Sequence, residues 1–406
     1  MKILLISPFF PPEVGSASHL YFELGQELYR RGHEVRVLTG LPRYHVAGSR
    51  EKYRSRLLVK ENYQGLQVMR AFNLDIPWNL PLLRGLDQWV SALSAGLAGL
   101  GLADFDAALV YSPPLPLALA ALSLCRLRRR PLIVNIQDLF PQSAIDLGVL
   151  ADPHLIAVFK RLESFLYRQA DLVMVHSEGN RRYVLAAGGR PGKVFVVPNW
   201  IDTRSLKPSR RDNGFRTSLN LHNQFIVSFA GIMGYSQDLE TVLAGAGLLR
   251  EQPEIAFLLV GDGVEKEKLV RQARQENLHN VHFLPMQPKE KYPEVLAASD
   301  VCLATLRKEV KTPVVPSKIL SIMAAGRPVL ASLPLEGDAP RLVDQARCGL
   351  CVPPGEPEEL ARAILALYRQ PDLTDEMGRN GRRYAVHHLS LAKCAEQLEN
   401  LFRQIS

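Results

Sequence analysis

The chain alternates short β-rich runs with longer segments of helical periodicity, and it does so in two consecutive series. Such alternation is typical of parallel sheets built from βαβ units. In the first series, Ile3–Ser7 and Glu34–Thr39 are expected strands on either side of a helix over Ala17–Arg31, which Gly32 closes. The second series begins at Phe225–Ala230. A length of 406 residues suits two domains of about 200 residues each. The sequence therefore predicts two doubly wound α/β domains, with ligand crevices at the carboxyl ends of their strands.

A short proline-containing segment divides the two series. Pro198–Asp202 follows the last strand-like run of the first series and is interpreted as the hinge. The expected domains are an amino-terminal domain over residues 1–200 and a carboxy-terminal domain over residues 201–375. The remaining helical region, residues 376–406, is expected to pack back across the hinge onto the first domain.

The apolar runs predict neither export nor membrane spanning. The run Ile3–Phe10 is interrupted by Pro8 and is followed by no small-residue cleavage site, so it is interpreted as a buried strand. Trp89–Ala103 carries no charge but is shorter than the ~18–20 residues that a membrane span needs. The 5 cysteines are scattered and odd in number, which suits a reducing compartment. A cytoplasmic protein is therefore expected.

Most of the net charge of +8 lies in the first half of the chain. Its basic clusters are Arg126 with Arg128–Arg130, and the stretch Arg50–Lys60; an apolar segment, Ile76–Gly85, contains Trp78. Basic and apolar surface together favour peripheral docking on an anionic membrane. A solvated basic face and an acceptor-side lid are the alternatives. No nucleic-acid partner is expected.

Two turns and one helix start are candidate anion sites. Gly15 precedes a helix start after the first strand, where backbone N–H groups can meet a phosphate. Gly261-Asp262-Gly263 follows a buried strand of the second series, with a purely structural βα turn as the alternative. Ser317 is the expected N-cap of a later helix and places Lys318 in its first turn. A lysine is unfavourable at the positive end of a helix dipole unless an anion shares the site, so Lys318 predicts a diphosphate clamp.

Motifs over essentially the whole chain resemble the family 4 glycosyltransferases. They run in order as ILLISPFFPPEVGSASHLYFELGQELYRRGHEVRVLTG, VVPNWID, FAGIMGYSQDLETVL, LLVGDG, NVHFLP, ASDVCLATL, PSKILSIMAAGRPVL and CGLCVPPGEPEELARAI. Within that family, the GYSQDLET and VPSKI forms are most similar to bacterial O-antigen, capsule and colanic-acid transferases, including those that handle fucose-type donors.

The resemblance implies a GT-B fold, meaning two Rossmann-like doubly wound domains that face a crevice. It implies retention of anomeric configuration without a metal or other cofactor. The second domain is expected to hold the nucleotide sugar, with a UDP-sugar favoured, and the first domain the lipid-linked or saccharide acceptor. The residues that the resemblance assigns to the donor are Gly15, Gly231, Gly234, Phe283, Leu284, Ser317, Lys318 and Ser321, and further candidates near the site are His19, Gly263, Gly337 and Asp338.

Two features depart from the family pattern. Many relatives carry two glutamates eight residues apart, and the matching positions here are Pro313 and Ser321. The usual arginine and lysine after the first strand of the second domain are replaced within Ile232–Gln237. Lys318 is therefore expected to neutralise more of the phosphate charge alone, and Ser321 to hydrogen-bond a hydroxyl in place of a carboxylate.

Asp138 is the candidate catalytic group, at the end of a strand of the first domain. A carboxylate there can accept the acceptor hydroxyl proton or stabilise oxocarbenium character, while capping of the following turn is the alternative. Asp104-Phe105-Asp106 has the form of a metal-binding D-x-D but precedes a strand as an ordinary loop, so no metal is expected. A nucleotide-sugar epimerase and a non-catalytic GT-B scaffold are the competing functions.

Overall fold

The computed structural model of the protein describes residues 1–13, 15–43, 51–74, 76, 81–146, 148–311, 313 and 315–405. They form two compact units. The first consists of Met1–Pro198 together with Leu391–Ser406, and the second of Asn199–Ser390. The helix that returns to the first unit therefore begins at Leu391, whereas the sequence placed this boundary at 376, inside the helix Pro371–Tyr384 of the second unit.

The first unit is an α/β layer structure around one sheet. Its elements are β1 (Lys2–Ile6), α1 (Ser16–Arg30), β2 (Glu34–Gly40), β3 (Leu58–Tyr63), β4 (Leu66–Ala71), α2 (Pro81–Leu100), β5 (Ala107–Ser112), α3 (Leu115–Arg128), β6 (Leu132–Ile136), α4 (Gln142–Asp146), α5 (Pro153–Gln169), β7 (Leu172–Val175), α6 (Glu178–Ala186), β8 (Val194–Val196) and α15 (Leu391–Ile405).

The strand order of the first sheet is β3-β4-β2-β1-β5-β6-β7-β8, parallel except for the edge pair β3–β4. The chain reverses its direction of winding between β1 and β5, so the ends of these two strands mark a switch point where ligands bind in such sheets. Inner strands are covered by helices on both faces and are mainly apolar; the fully buried β6, LIVNI, has Asn135 as its one polar residue.

The hairpin of β3 and β4 was not predicted from the sequence. Its edge strand LVKENY alternates exposed and half-buried residues and carries charge, so it lacks the apolar run by which the inner strands were recognised. Gln64 and Gly65 form the turn with φ of 50° and 89°, the geometry of a tight two-residue hairpin.

The second unit has a six-stranded parallel sheet in the order β11-β10-β9-β12-β13-β14. Its elements are α7 (Gly214–Leu219), β9 (Phe225–Ile232), α8 (Leu239–Leu248), β10 (Ile255–Asp262), α9 (Lys266–Gln275), β11 (Val281–Leu284), α10 (Tyr292–Ala298), β12 (Val301–Thr305), α11 (Ser317–Ala324), β13 (Val329–Ser332), α12 (Asp338–Ala346), β14 (Gly349–Val352), α13 (Pro357–Arg369) and α14 (Pro371–Tyr384). Here the switch point lies between β9 and β12.

The carboxy-terminal helix α15 is held on α1 by buried charge. Glu399 is 8% exposed and accepts hydrogen bonds from Arg31 at 3.1 Å and His33 at 2.8 Å. Arg31 also donates to Glu27 at 3.3 Å, which links both helices in one network. In the part of the chain that the structure describes, no helix is both long and apolar enough to cross a membrane.

Candidate active site

Two strand ends approach closely beside the switch point of the second sheet. Gly231, the residue before the last of β9, lies beside Gly261 of β10, and a β-carbon on Gly261 would lie 1.9 Å from the Gly231 carbonyl oxygen. Gly263 has a φ of 148° and sits against the Met233 backbone, where a β-carbon would lie 2.5 Å from the Met233 carbonyl oxygen. Because glycine has no β-carbon, the turns that follow β9 and β10 can pack closely against each other. The packing of this fold is therefore enough to explain why Gly231 and Gly263 are glycines. Gly234, with a φ of −107°, lies in the same turn under no such constraint.

Lys318 reaches this turn from the first turn of α11. Its methylene chain lies over Gly231, where a β-carbon would be 2.7 Å from Lys318 Cε. Its ammonium group donates to Gln237 Oε1 at 2.9 Å and lies 4.9 Å from the centre of the buried Phe229 ring. Burial lowers the pKa of Lys318 from 10.5 to about 8. Within the described residues no carboxylate pairs with this amine. The site therefore presents a desolvated cation without a counter-ion.

The start of α11 differs by one position from the sequence prediction. Pro316 occupies the N-cap position, Ser317 is the first helical residue, and neither side chain caps the helix. The prediction of Ser317 as N-cap is wrong because Pro316 already has the extended φ and ψ that precede a helix. Ile319 N donates to Pro316 O at 3.0 Å, while the N–H groups of Ser317 and Lys318 precede the first helical hydrogen bond and remain available to an anion.

Ser321 lies one turn further along α11. Its hydroxyl donates to Ser317 O at 3.4 Å, and it also hydrogen-bonds the Tyr292 hydroxyl, whose pKa burial raises to about 12. Ser321 is half-buried and is engaged within the unit, so its contact with a hydroxyl of the donor stays a prediction.

Phe283 and Leu284 end β11 at the edge of the same sheet. Both are half-buried, and Leu284 is in register with Val260 of β10. Lys266 bridges the two strand ends, since its ammonium group donates to Gly261 O at 2.8 Å and to Leu284 O at 3.4 Å. The backbone that the resemblance assigns to the base is therefore tied to the turn that carries Gly263.

Gly337 and Asp338 stand at the start of α12, after β13. Gly337 occupies the N-cap position of this helix, and Asp338 is its first residue, 8% exposed and 3.8 Å from Arg341. Their strand is the second neighbour of β9, so both lie at the carboxyl edge of the sheet that carries Lys318.

Arg307 was not identified from the sequence. It is the second residue after β12, donates its backbone N–H to Ser236 O at 2.9 Å, and pairs with Glu240 at 3.0 Å and Glu265 at 3.6 Å. Lys268 joins the same two carboxylates. The backbone bond to Ser236 ties this cluster to the 235–237 turn. A charged residue shortly after a buried strand of the second series was the available signal.

In the first unit, Gly15 occupies the N-cap position of α1. It is exposed, has an extended φ of 171°, and a β-carbon there would meet nothing within 4 Å. The fold of this unit therefore does not itself require a glycine at this position. His19 is half-buried in the first turn of α1 and donates its backbone N–H to Gly15 O at 3.0 Å.

Asp138 lies just beyond β6, the second strand from the switch point of the first sheet. Its side chain is exposed and accepts hydrogen bonds from Leu139 N at 2.8 Å and Ser143 Oγ at 3.0 Å. Burial, and to a lesser extent the charge of Asp138, raises the pKa of Tyr111 to about 12. The carboxylate thus caps a turn and faces solvent at once, which is compatible with both interpretations of its role.

The D-x-D sequence does not assemble a paired carboxylate site. Asp106 accepts from Lys2 N at 2.7 Å, Asp104 pairs with Arg130 at 2.6 Å, and Phe105 between them is buried. Among the residues that the structure describes, no group of three or more His, Cys, Asp or Glu is placed to hold a metal ion.

Two family models match the chain, one in each half. The model described as "Glycosyl transferase 4-like domain" matches residues 18–200, and "Glycosyl transferases group 1" matches residues 224–370. The chain is 26% identical over 424 aligned positions to the colanic acid biosynthesis glycosyl transferase WcaI of Escherichia coli, covering 99% of this chain and 100% of WcaI. It is 27% identical to glycosyltransferase WbjE of Pseudomonas aeruginosa, over 57% of this chain and 58% of WbjE.

Solved structures show the same fold. HepE of Anabaena, crystallised in complex with UDP, superposes with a TM-score of 0.72 at 21% identity, and the match covers 100% of both chains. At this identity the likeness speaks for the fold alone. The two parallel sheets and their switch points are thus those of the GT-B architecture, as the sequence motifs predicted.

Proposed function

Since the chain belongs to the family 4 glycosyltransferases and has the GT-B fold, we propose that it transfers a sugar from a UDP-sugar to a lipid-linked saccharide in bacterial surface polysaccharide synthesis. The reaction retains the anomeric configuration and needs no metal. The protein acts at the cytoplasmic face of the membrane, to which it binds peripherally. The second unit holds the nucleotide sugar and the first unit the acceptor.

The unpaired Lys318 carries the donor assignment. A lysine that burial has partly stripped of water, at the positive end of a helix dipole and without a carboxylate, is an unfavourable arrangement in the unliganded protein. A diphosphate removes the disadvantage, because it supplies negative charge to Lys318 and to the N–H groups that begin α11. Because the closely packed turns contain Gly231 and Gly263, the groups that they place beside this amine belong to the backbone and not to side chains.

Relatives support the donor and the pathway. HepE is named as a complex with UDP, and other crystals of HepE contain UDP-glucose. WcaI is named for colanic acid biosynthesis. We extend both to this chain as part of the proposal, together with Gly15, Phe283 and Leu284 as donor contacts.

A nucleotide screen tests the donor proposal. The apparent melting temperature of the purified protein would be measured with UDP, GDP and dTDP, each from micromolar to millimolar concentration, with and without EDTA. A ligand that binds only the folded state stabilises it by about 2.7 kcal/mol at a hundredfold excess over the dissociation constant. We expect UDP to give the largest shift and EDTA to leave it unchanged. No shift with any nucleotide would contradict the proposal, and a shift that EDTA abolishes would contradict metal independence.

Asp138→Asn tests the proposed chemical role of this carboxylate. Asparagine retains an oxygen for Leu139 N, so the turn is expected to persist. If the charge serves the reaction, kcat falls by roughly 10²- to 10⁴-fold while the melting temperature stays within a degree or two. Asp152→Asn is the matched control, because Asp152 caps α5 in the same unit by accepting from Leu155 N at 2.8 Å. Equal kcat values for both variants and the wild type would make Asp138 a capping residue only.

A further inference from the structure

Helix α2 displays its largest apolar side chains to solvent. Leu83, Leu86, Trp89, Leu93, Leu97 and Leu100 are between 44% and 66% exposed. At about 100° per residue, all six fall within an arc of about 120° on the helix surface. We call this row the α2 stripe. It runs along the full 20 residues of the helix.

The opposite face of α2 packs on α3 through small residues. Ala92 and Ala95 are buried, and a β-carbon on Gly99 would lie 2.5 Å from a methyl group of Leu124. Gly96 faces Ala120 in the same way, at 3.8 Å. This arrangement inverts the usual amphipathic helix, which turns its leucines inward. The leucines of the α2 stripe are therefore not explained by the packing of the first unit.

No charged residue occurs between Gln88 and Ala103, and the only polar atom among the stripe side chains is the indole nitrogen of Trp89. A contiguous exposed apolar surface of this kind marks an interaction site. A row of apolar side chains on one face of a helix suits a surface along which the helix can lie.

Basic side chains flank the end of the stripe. Arg128, in the last turn of α3, donates to the carbonyl oxygens of Leu100 and, at 3.1 Å, of Leu102, which fastens the end of α3 to the end of α2. The neighbouring Arg126 and Arg129 are exposed, as is Leu127 between them, at 69%. Arg126 also donates to Gln169 and lies 6.0 Å from the centre of the Phe165 ring, both on α5. Leucines beside arginines match the acyl chains and the phosphates of an anionic lipid surface, and a tryptophan in the row is typical of the interface between them.

We propose that the α2 stripe, with Arg126 and Arg129, is the surface by which the protein binds an anionic bilayer. The helix lies in the headgroup region with its leucines in the acyl boundary, and the two arginines select anionic lipid. Of the segment named from the sequence, Ile76–Gly85, the four residues 77–80, which include Trp78, lie outside the described residues. The α2 stripe shares Leu83 with that segment and continues further along the chain. The inference deepens the proposed membrane-side function but does not depend on which donor is used.

Vesicle co-sedimentation of the full chain tests the proposal. Wild type would be compared with Leu93→Ser/Leu97→Ser, with Arg126→Gln/Arg129→Gln, and with Leu248→Ser/Leu373→Ser. The last is a matched control, since Leu248 and Leu373 are 54% and 40% exposed on the second unit. Each protein is mixed with vesicles of phosphatidylcholine alone or with 30% phosphatidylglycerol, at low salt and at roughly 0.5 M salt, where the Debye length falls to a few ångströms.

We expect the wild type and the control to bind the anionic vesicles. The leucine variant should bind at least tenfold more weakly than the wild type to vesicles of either composition. The arginine variant should lose its preference for anionic lipid, and high salt should have the same effect on the wild type. Equal binding by the leucine variant, or no binding by the wild type, would overturn the proposal. A wild-type dimer in light scattering that the leucine variant dissociates would show that a second copy covers the stripe, which also overturns it.

A nucleotide-induced shift in melting temperature, measured on the same four proteins, separates this proposal from the donor proposal. The shift reports folding and the site in the second unit, so all four proteins should show it equally. Vesicle binding without any nucleotide shift would leave the docking surface standing and the donor proposal contradicted.

Discussion

Lys318→Ala is expected to weaken donor binding by roughly 10- to 100-fold, the loss that corresponds to a hydrogen bond from a charged group. It is expected at the same time to leave the unliganded protein as stable as before or up to a few kcal/mol more stable. The reason is that burial disfavours the charged lysine, as its lowered pKa of about 8 indicates. Calorimetric titration with the nucleotide and thermal melting without it would measure the two effects separately.

Lys207→Ala is the matched control for this variant, because Lys207 is an exposed lysine of the same unit. It should change neither nucleotide affinity nor stability. A Lys318→Ala protein that melts much earlier than the wild type would instead make Lys318 a structural residue, and one that binds nucleotide normally would remove it from the donor site.

The pH dependence of the wild type follows from the same shift. The folded pKa of Lys318, about 8, lies below the ordinary value of 10.5, so the unfolded chain binds more protons between those two values. The stability of the unliganded wild type therefore gains a rising contribution from Lys318 as the pH increases through this window. Donor affinity moves the opposite way and falls above about pH 8, since the neutral amine no longer attracts the diphosphate. In Lys318→Ala both dependences should flatten; a wild-type affinity that stays constant from pH 7 to 9.5 would contradict the assignment.

Gly261→Ala is expected to destabilise the second unit by about 3 kcal/mol or more, the range of severe overpacking against atoms that cannot move aside. The new β-carbon would stand 1.9 Å from the Gly231 carbonyl oxygen, which belongs to the backbone of a central strand. Relief requires β9 and β10 to separate at their ends. Since Gly231 underlies the Lys318 side chain, the same movement should also reduce nucleotide binding.

Gly234→Ala serves as the control from the same turn. Its φ of −107° suits any residue, and its β-carbon would meet only the Ile232 side chain, at 3.8 Å. Its stability should stay within about 1 kcal/mol of the wild type, because alanine also lowers the entropy of the unfolded chain. Limited proteolysis followed by mass spectrometry would assign the loss to the second unit, which a single melting curve of a two-unit protein does not do. Equal stabilities of the two variants would show that the strand ends tolerate a side chain.

The inner strands were predictable because each is a local run of apolar residues. The strand predicted at Phe225–Ala230, for example, is observed as Phe225–Ile232, and its residues 226–230 are all buried, since burial on both faces favours apolar residues. The β3–β4 hairpin was missed because an edge strand faces water and carries charge. The motif order was enough for the family and the GT-B fold, since these depend on residue types at fixed positions along the chain.

The position of Lys318 in the first turn of α11 was also predictable from the sequence, where a lysine at a helix start is a local anomaly, and its role in donor binding stays a prediction. Its contacts with Gln237 and Phe229, 81 and 89 positions away along the chain, and its lowered pKa did not follow. They depend on which strand ends lie side by side. The same holds for Arg307 and its two carboxylate partners, which come from α8 and the start of α9.

The α2 stripe shows most clearly which properties the sequence determines and which depend on the tertiary structure. The sequence determined that Trp89–Ala103 is apolar, uncharged and too short to span a bilayer. Only the tertiary structure decided which side of that helix is covered. Gly99 and Ala92 allow α2 and α3 to approach closely, and this turns the leucines outward. Composition and periodicity are properties of the chain alone, whereas exposure depends on what packs against each face.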